Sequence, residues 1–464
     1  MRRLLITSLL LLGGCSVWAP VEVAPESPLP GAPAWQQPHI ADAMEPVAEP
    51  WLQHFADSRL EALVSEALAS NPTLRVAEFQ LRESRFAADV AGAAEQPSLD
   101  ANFQGGRARR AGTSSDSFSA GLNAAWELDL WQRLSRAAQA AVTDRDALAA
   151  DLRAARLSLA ANVAKGWFLA VEARQQQQLS ERLVANLEQS LEVLESGYRA
   201  GLVAALDIHL ARANLATERS RLADRRSAVG DRLRELETLL GRYPGRALVV
   251  DAQLPPLPPA VPVGLPSQLL ARRADIRAAE LRLVAAGLRQ DAAHADRFPR
   301  ISLTGSLGGS SDELGQLLSG DSLVWSLFGN LAQPLFDGGR LEALEGQAAS
   351  RFEQAQERYR ATLLQAFSEV EGALEQESEL RNLVASLALG VAESDLAEQL
   401  AYEQYRRGLV DIVTVLEAQR RAFNARSAYI AARNRQLQTR INLHLALGGD
   451  FAAAPSQQTG NTDD

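Results

Sequence analysis

Tyr198-Arg199-Ala200-Gly201-Leu202-Val203 and Tyr405-Arg406-Arg407-Gly408-Leu409-Val410 are one hexapeptide written twice, 207 residues apart. Working outward, Leu240-Gly241 returns as Leu447-Gly448 at the same offset. Further upstream, residues 73–106 align without a gap on 275–308 at an offset of 202. Arg75, Ala77, Glu78, Leu81, Asp89, Ala91, Ala93, Pro97 and Gly106 recur as Arg277, Ala279, Glu280, Leu283, Asp291, Ala293, Ala295, Pro299 and Gly308. The change of offset places a net five-residue insertion between the two matched blocks. A period of roughly 200 residues is a two-fold internal duplication, too long for a solenoid.

Each half has the same grammar. A helix of about 23 residues, Thr73–Glu95, stops before Pro97. Two strand-like stretches follow, residues 99–103 and 118–126. Phe118, Ala120, Leu122, Ala124 and Trp126 share one face of the second. Gly105 to Gly112 between them reads as a polar loop carrying Arg107, Arg109 and Arg110. The second half repeats this with strands over residues 301–307 and 323–331, joined by a loop with a helical turn. A proline-free helix then runs from Gln132 to Ser196, 65 residues, or about 98 Å at about 1.5 Å per residue. Leu148, Leu152, Leu159 and Val163, then Leu183, Leu187, Leu191 and Leu194, form its packing seam. A return helix spans about 207–240. The 34-residue return helix and the 23-residue short helix nearly match the long one, which predicts a rod with a β-ribbon at one end.

Proline divides the chain. Residues 20–50 hold eight of the 20 prolines and 253–266 hold six more. The expected organisation is a signal peptide over 1–14, a lipidated Cys15 with a Pro-rich tether to 50, a first repeat over 51–252, a Pro-rich linker over 253–266, a second repeat over 267–450 and a polar tail over 451–464. The leader rests on Arg2-Arg3, the apolar run 4–12 and Leu12-Gly13-Gly14-Cys15, where the chain's one cysteine stands. This resembles the lipidation signal of bacterial lipoproteins. Ser16 follows where an aspartate would resemble an inner-membrane retention signal, which favours the outer membrane.

Composition excludes several classes. Net charge is −10, against the clustered positive charge that sequence-independent nucleic-acid binding needs. Aromatic residues are only 6%, and the abundance of Ala, Leu, Gln, Glu and Arg favours helix. A lone cysteine excludes internal disulfides and Cys-based metal sites. His39, His54, His209, His294 and His444 have no metal-ligand spacing, and no phosphate-binding loop or nucleophile motif is present. No enzyme, no cofactor and no metal are expected. No later stretch holds 18 consecutive apolar residues, so a membrane could be crossed only by a closed barrel. Four strands cannot close one, since such barrels start at about eight. Phe118, Trp126 and Trp131, with Phe298, Trp325, Phe328 and Phe336, suit an interfacial aromatic belt.

Trp126-Glu127-Leu128-Asp129-Leu130-Trp131, Gln333-Pro334-Leu335-Phe336-Asp337-Gly338-Gly339-Arg340 and the paired Tyr-Arg-x-Gly-Leu-Val turns resemble the TolC-like outer-membrane efflux factors, in their lipidated drug-efflux branch. The resemblance covers about residues 50–450. It implies a mainly α fold with a small β part. Duplicated long-helix hairpins would form a periplasmic α-barrel, and four transmembrane strands per chain would complete a trimeric twelve-stranded β-barrel. It implies a homotrimer, outer-membrane lipid around the barrel, a periplasmic adaptor (membrane-fusion) protein and an inner-membrane proton-driven pump, with no nucleic acid.

The same resemblance assigns the gate. Val413 and Glu417, four apart on one helix face, match the family's constriction, as an apolar ring and an acidic ring. Thr414 stands where some members carry a second aspartate ring. Asp207 matches an aspartate that ties inner helices to outer ones. Its usual arginine partner is replaced by Val410, which leaves Arg406 or Arg407 to rebuild the bridge. Tyr405 is placed to bond across the tip. Gly201-Leu202-Val203 and Gly408-Leu409-Val410 are the expected adaptor-docking tips. Rival readings are a duct for type I protein or peptide secretion and, of another class, a periplasmic coiled-coil structural or adaptor lipoprotein.

Overall fold

The computed structural model describes residues 51–250, 253–261, 272–317, 319 and 322–449. Cys15, the leader and tether through residue 50, and the tail over 451–464 lie outside the described residues. The chain forms two compact units. One is built around residues 80–149 and 278–361, the other around 51–79, 150–277 and 362–449.

The helices are α1 (Ser58–Ser70), α2 (Pro72–Ala93), α3 (Arg133–Arg199), α4 (Ala205–Leu239), α5 (Ala274–Ala295), α6 (Arg340–Arg406) and α7 (Ile412–Ala446). The strands are β1 (Ser98–Arg110), β2 (Thr113–Leu128), β3 (Arg300–Ser311) and β4 (Leu323–Ala332). The duplication holds to the residue. α3 and α6 are both 67 residues long, and α4 and α7 are both 35. Long proline-free stretches of good helix formers explain the first pair. Asp129 starts α3 by accepting the Leu134 and Ser135 N–H groups at 2.9 and 2.8 Å. Asp337 starts α6 by accepting those of Gly339 and Leu341 at 3.1 and 3.0 Å.

In the first unit the strands form one antiparallel sheet in the order β1-β2-β3-β4. Ser98 faces Ala125 and, at equivalent positions, Arg300 faces Ala332. Gly105 faces Phe118 as Leu307 faces Trp325. The hairpins therefore share a register, and the five-residue insertion lies in the β3–β4 loop, which holds the 3-10 turn Leu314–Gln316. The polar loop expected over Gly105 to Gly112 is a correction. β1 continues through Arg110, and only Ala111-Gly112 turns, both at positive φ, as a two-residue hairpin requires. Gly105 stays in the strand because the Phe118 ring lies across it, 3.3 Å from where a Cβ would stand. Arg107 is thus a strand residue, opposite Asp116 and 3.4 Å from its carboxylate, and Arg109 lies in β1 opposite Ser114.

The pleat sorts the sheet into two faces. One carries Leu99, Phe103, Leu122, Trp126, Leu307, Trp325, Leu327 and Leu331, all exposed. The other carries Asn102, Asn123, Thr304, Ser306, Ser326 and Asn330, with Val324 and Phe328 as its apolar exceptions, so Phe328, expected in the aromatic belt, lies on the mainly polar side opposite Thr304. Ser306 and Ser326 hydroxyls meet at 2.7 Å, and Asn123 donates to Asn102 at 3.0 Å. Alternation of this kind, apolar on one side and polar on the other, is the pattern of a membrane barrel wall. No described helix is long and apolar enough to cross a membrane.

The second unit has a conventional core. Trp51, Phe55, Leu60, Trp167, Phe168, Leu236 and Leu240 are buried together. The sequence reading had no role for residues 51–70. They supply this cover, with Asp57 both capping α1 and accepting the Trp167 indole N–H at 2.7 Å. Asn71 Nδ2 donates to the Leu239 carbonyl at 2.8 Å. At the equivalent site of the second repeat, Arg273 Nη1 donates to the Ala446 carbonyl at 3.0 Å. Each thereby satisfies the open end of a return helix.

Candidate functional site

The predicted tip residues sit at the far ends of the hairpins in the second unit. α3 and α6 both end in a Schellman turn. The Leu202 N–H reaches the Gly197 carbonyl at 2.9 Å, and the Leu409 N–H reaches the Gln404 carbonyl at 3.0 Å. Gly201 and Gly408 each adopt φ +71°, a conformation that costs an L side chain about 1–2 kcal/mol. Past each glycine the leucine projects outward, Leu202 82% exposed and Leu409 69%. Val203 and Val410 fold back, half-buried. A small apolar cluster of Leu194, Ala211, Ala401, Ile412 and Val415 joins all four helices just behind the turns.

The second tip is capped and the first is not. Asp411 accepts the Thr414 N–H at 2.9 Å and its hydroxyl at 2.7 Å. Both bonds hold the Asp411 carboxyl below its ordinary value. Ala204, at the matching position, offers no side chain to cap α4. Thr414, expected at the level of a ring, thus has its hydroxyl engaged by the cap. Val413 and Glu417 do share a face. With Asp411, Thr414, Glu393 and Arg421 they border a groove of about 600 Å³ between α6 and α7. Glu417 accepts from Arg420 Nη2 at 2.7 Å, and this bond holds its carboxyl below the usual range. Sequence reasoning missed Arg420, although the i,i+3 spacing was there to find it.

Asp207 lies half-buried in the first turn of α4. Among the described residues it has no ion pair, with Arg406, with Arg407 or with any other arginine, so the rebuilt bridge is absent within the chain. Its carboxylate is near Tyr405. Burial first, then Asp207 and Tyr402, push the Tyr405 hydroxyl above its ordinary value. Among the described residues no group of three or more His, Cys, Asp or Glu side chains converges as a metal ion would need.

An open sheet with one lipid-suited face, joined to paired hairpins with matching tips, defines a membrane protein that crosses the bilayer on strands and leaves it on helices. Residues 63–242 and 265–449 match the outer membrane efflux protein family, and the chain belongs to that family. It is 31% identical over 449 residues to the cation efflux system protein CusC of Escherichia coli O6:H1, covering 95% of this chain and 97% of CusC. It is 30% identical over 462 residues to the pyoverdine export outer membrane protein OpmQ of Pseudomonas aeruginosa, covering 96% of each. Among solved structures, that of the outer-membrane channel OprN superposes with a TM-score of 0.83 at 29% identity, covering 92% of this chain and 99% of OprN. The protein is an outer-membrane efflux channel component and not an enzyme, as expected, which removes the rival reading of a periplasmic coiled-coil structural or adaptor lipoprotein.

Proposed function

We propose that three copies of this chain form a passive duct that carries small molecules outward from an inner-membrane proton-driven pump through a periplasmic adaptor. The observation that carries this reading is the sheet. Its exposed apolar face needs lipid and its polar face needs water. Its two edges need strands that only further copies supply. Three copies give twelve strands, enough to enclose an aqueous lumen. The two repeats, the linker over 253–266 and the tether over 15–50 keep the division expected above, and lipidated Cys15 adds a second hold on the membrane. CusC and OpmQ are named for a cation and for pyoverdine. Small cargo is favoured over secreted protein for that reason.

In this reading Val413 forms an apolar ring and Glu417 an acidic ring at the closed end of the tube. Thr414 holds the Asp411 cap that starts the gating helix. Asp207 and Tyr405 steady the contact between hairpins. Gly201-Leu202-Val203 and Gly408-Leu409-Val410 present the leucines to the adaptor. Three carboxylates in a narrow pore attract cations and repel anions. Arg420 keeps Glu417 ionised and screens part of that field. The test is single-channel recording of Glu417→Ala in planar bilayers. Cation selectivity and block by multivalent cations should both weaken several-fold; unchanged conductance and unchanged block would remove Glu417 from the gate. Capture of the tagged protein from envelopes should recover an adaptor and a proton-driven pump, and an ATP-driven exporter instead would redirect the reading to secretion.

A further inference from the structure

The two β-hairpins share one register, but only the first carries arginines. Arg107 and Arg109 stand in β1. At the offset of 202 their counterparts in β3 are Gly309 and Ser311, and residues 312–322 include Asp312, Glu313 and Asp321 but no basic residue. β3 pairs with β2 only as far as Ser311 opposite Phe118. β1 and β2 continue for five further pairs, from Gly106 with Ser117 to Arg110 with Thr113, so the first hairpin extends past β3 as a two-stranded ribbon. α2, α3, α5 and α6 join the sheet at its other end, beside Ser98, Leu128, Arg300 and Ala332. With the helices in the periplasm, the ribbon reaches the outer leaflet. Register fixes which way its arginines face. Phe103, Gly105, Arg107 and Arg109 follow one another on one side of β1, opposite Ala120, Phe118, Asp116 and Ser114. That side also carries Leu99, Leu122 and Trp126, and the barrel reading turns it to lipid. From Leu99 to Arg107 and Arg109, a strand tilted about 40° climbs about 21 and 26 Å along the membrane normal, at about 3.4 Å per residue. The apolar band of such a barrel is about 25 Å tall, so both guanidinium groups stand at headgroup level. An arginine on the lipid face is strongly destabilising at the midplane and nearly free of cost there.

We propose that Arg107 and Arg109 bind the phosphates of lipopolysaccharide, the phosphorylated glycolipid of the outer leaflet, once in each copy of the chain. This rests on the barrel reading above and adds the chemical class of the lipid and the residues that select it. Two guanidinium groups about 7 Å apart on one strand face suit such headgroups, because each planar fork meets a pair of phosphate oxygens. The face below them is continuous. Phe118, half-buried, lies next beneath Asp116 on β2, and Phe103, Leu122 and Leu99 follow down the sheet. A ligand with acyl chains and a phosphate therefore meets apolar surface and cation along one line, whereas a free anion uses only the upper end. The two arginines differ. Arg107 is 3.4 Å from Asp116, with its side chain still 74% exposed. Arg109 is exposed opposite Ser114 and has no ion pair among the described residues. Asp116 takes part of the charge of Arg107, so Arg109 carries the larger share of the binding.

Titration of the detergent-solubilised full-length protein with lipid A, read by native mass spectrometry, tests this. Lipid A with both phosphates should bind about tenfold more tightly than the same lipid with its phosphates removed. Arg107→Gln combined with Arg109→Gln should hold both lipids alike, at the weaker level. Of the single changes, Arg109→Gln should lose more than Arg107→Gln. Arg107→Lys with Arg109→Lys keeps the charge without the fork, and should fall between the parent and the double Gln variant. Millimolar inorganic phosphate should leave the lipid bound. Complete displacement by phosphate would make this a site for the free anion and overturn the lipid assignment. A parent protein that holds the phosphorylated and dephosphorylated lipids alike, or a double Gln variant as tight as the parent, overturns the proposal and leaves the barrel reading standing. A chain that never migrates as a trimer when unheated overturns the barrel reading itself, and the lipid site with it.

Discussion

The first helical hairpin, α3 with α4, is laced by Arg–Glu pairs at seven-residue spacing: Arg212 with Glu195 at 2.7 Å, Arg219 with Glu188 at 2.6 Å and Arg226 with Glu181 at 3.2 Å. The second hairpin, α6 with α7, keeps only the middle one of these three pairs among the described residues, and adds Arg440 with Glu377 at 2.6 Å at the end away from the tip. Arg426, the counterpart of Arg219, meets Asp395 at 2.9 Å and Glu398 at 3.2 Å. Arg212 becomes a buried Gln419. Arg226 becomes Arg433, which turns away to the Leu254 and Pro255 carbonyls of the Pro-rich segment. The backbone was copied and the cross-ties were not. The arm with fewer ties near its tip is the one that bears Val413 and Glu417. The gate proposed above needs an element whose two arrangements differ by little free energy, and fewer ties near the tip of one hairpin would supply it without altering helix length.

The comparison makes its largest demand on the core. Trp167 and Leu374 are equivalent positions. Trp167 is fully buried in the large cluster and Leu374 lies in the small one with Val261, Val370 and Leu443. Trp167→Ala should cost about 3–5 kcal/mol and Leu374→Ala about 2–4 kcal/mol, read as the loss of unfolding temperature of the detergent-solubilised protein. A larger loss at Leu374 would mean that the second hairpin is the better anchored, against the view taken here.

Next comes acid. Glu237 and His444 occupy the same position of the two return helices and are both buried. Burial alone would raise the Glu237 carboxyl. The N–H groups of Leu248, Arg246 and Ala247 outweigh it and hold the carboxyl below its ordinary value, with Leu248 at 3.0 Å and Arg246 at 2.7 Å. His444 stacks on Trp51 at 5.6 Å, and neither ring nitrogen has a partner among the described residues. Burial, then the Arg440 cation and His54, lower its pKa from 6.5 to about 3. Above pH 6.5 the ring is neutral folded and unfolded, and nothing is lost. Below it the unfolded chain binds a proton that the folded chain refuses, so stability falls as pH drops toward 3, by up to roughly 4 kcal/mol. The Glu237 contribution is present above its ordinary carboxylate pKa and fades only at more acid pH. His444→Phe should therefore flatten the stability profile between pH 6.5 and 4.5, and Glu237→Gln should flatten it only below. Chemical-denaturation curves across that range check both.

Much of this was legible in the sequence. The hexapeptide turns, the missing prolines and the two offsets fix the duplicated helices to within a few residues, because long elements average over local irregularity. The β1–β2 turn was misread because Gly105-Gly106 and three arginines look like a loop. What keeps them in the strand is the Phe118 ring across the sheet, and strand pairing is not a local property. That Val413 and Glu417 share a face followed from helical spacing. The engagement of Thr414 by Asp411 and of Glu417 by Arg420 depends on rotamers that spacing permits without choosing. The tie series at 181, 188, 195 and 212, 219, 226 was present as numbers, but it becomes visible only once the antiparallel partner is known. Nothing local separates Glu237 from His444, since their difference lies in what packs over them.

The smallest expected effect tests the ties themselves. Arg219 and Glu188 are well exposed, and a single exposed pair contributes about 0.2–1 kcal/mol. Arg426 is more enclosed and holds two carboxylates, so Arg426→Gln should cost more than Arg219→Gln while remaining near 1 kcal/mol. Neither change should move the unfolding temperature much. Their separation should appear in gating. Arg219→Gln leaves its hairpin two further ties, so its open-channel events should match the parent protein. Arg426→Gln removes the tie nearest the tip of the hairpin carrying Val413 and Glu417 and leaves, among the described residues, only Arg440 on Glu377 at its other end. At about 1.4 kcal/mol per tenfold, even a partial loss raises the frequency of open events a few-fold in planar-bilayer recordings. The reverse order, with Arg219→Gln the leakier channel, would show that the heavily laced hairpin is the moving part, and the difference in ties would then mark load rather than freedom.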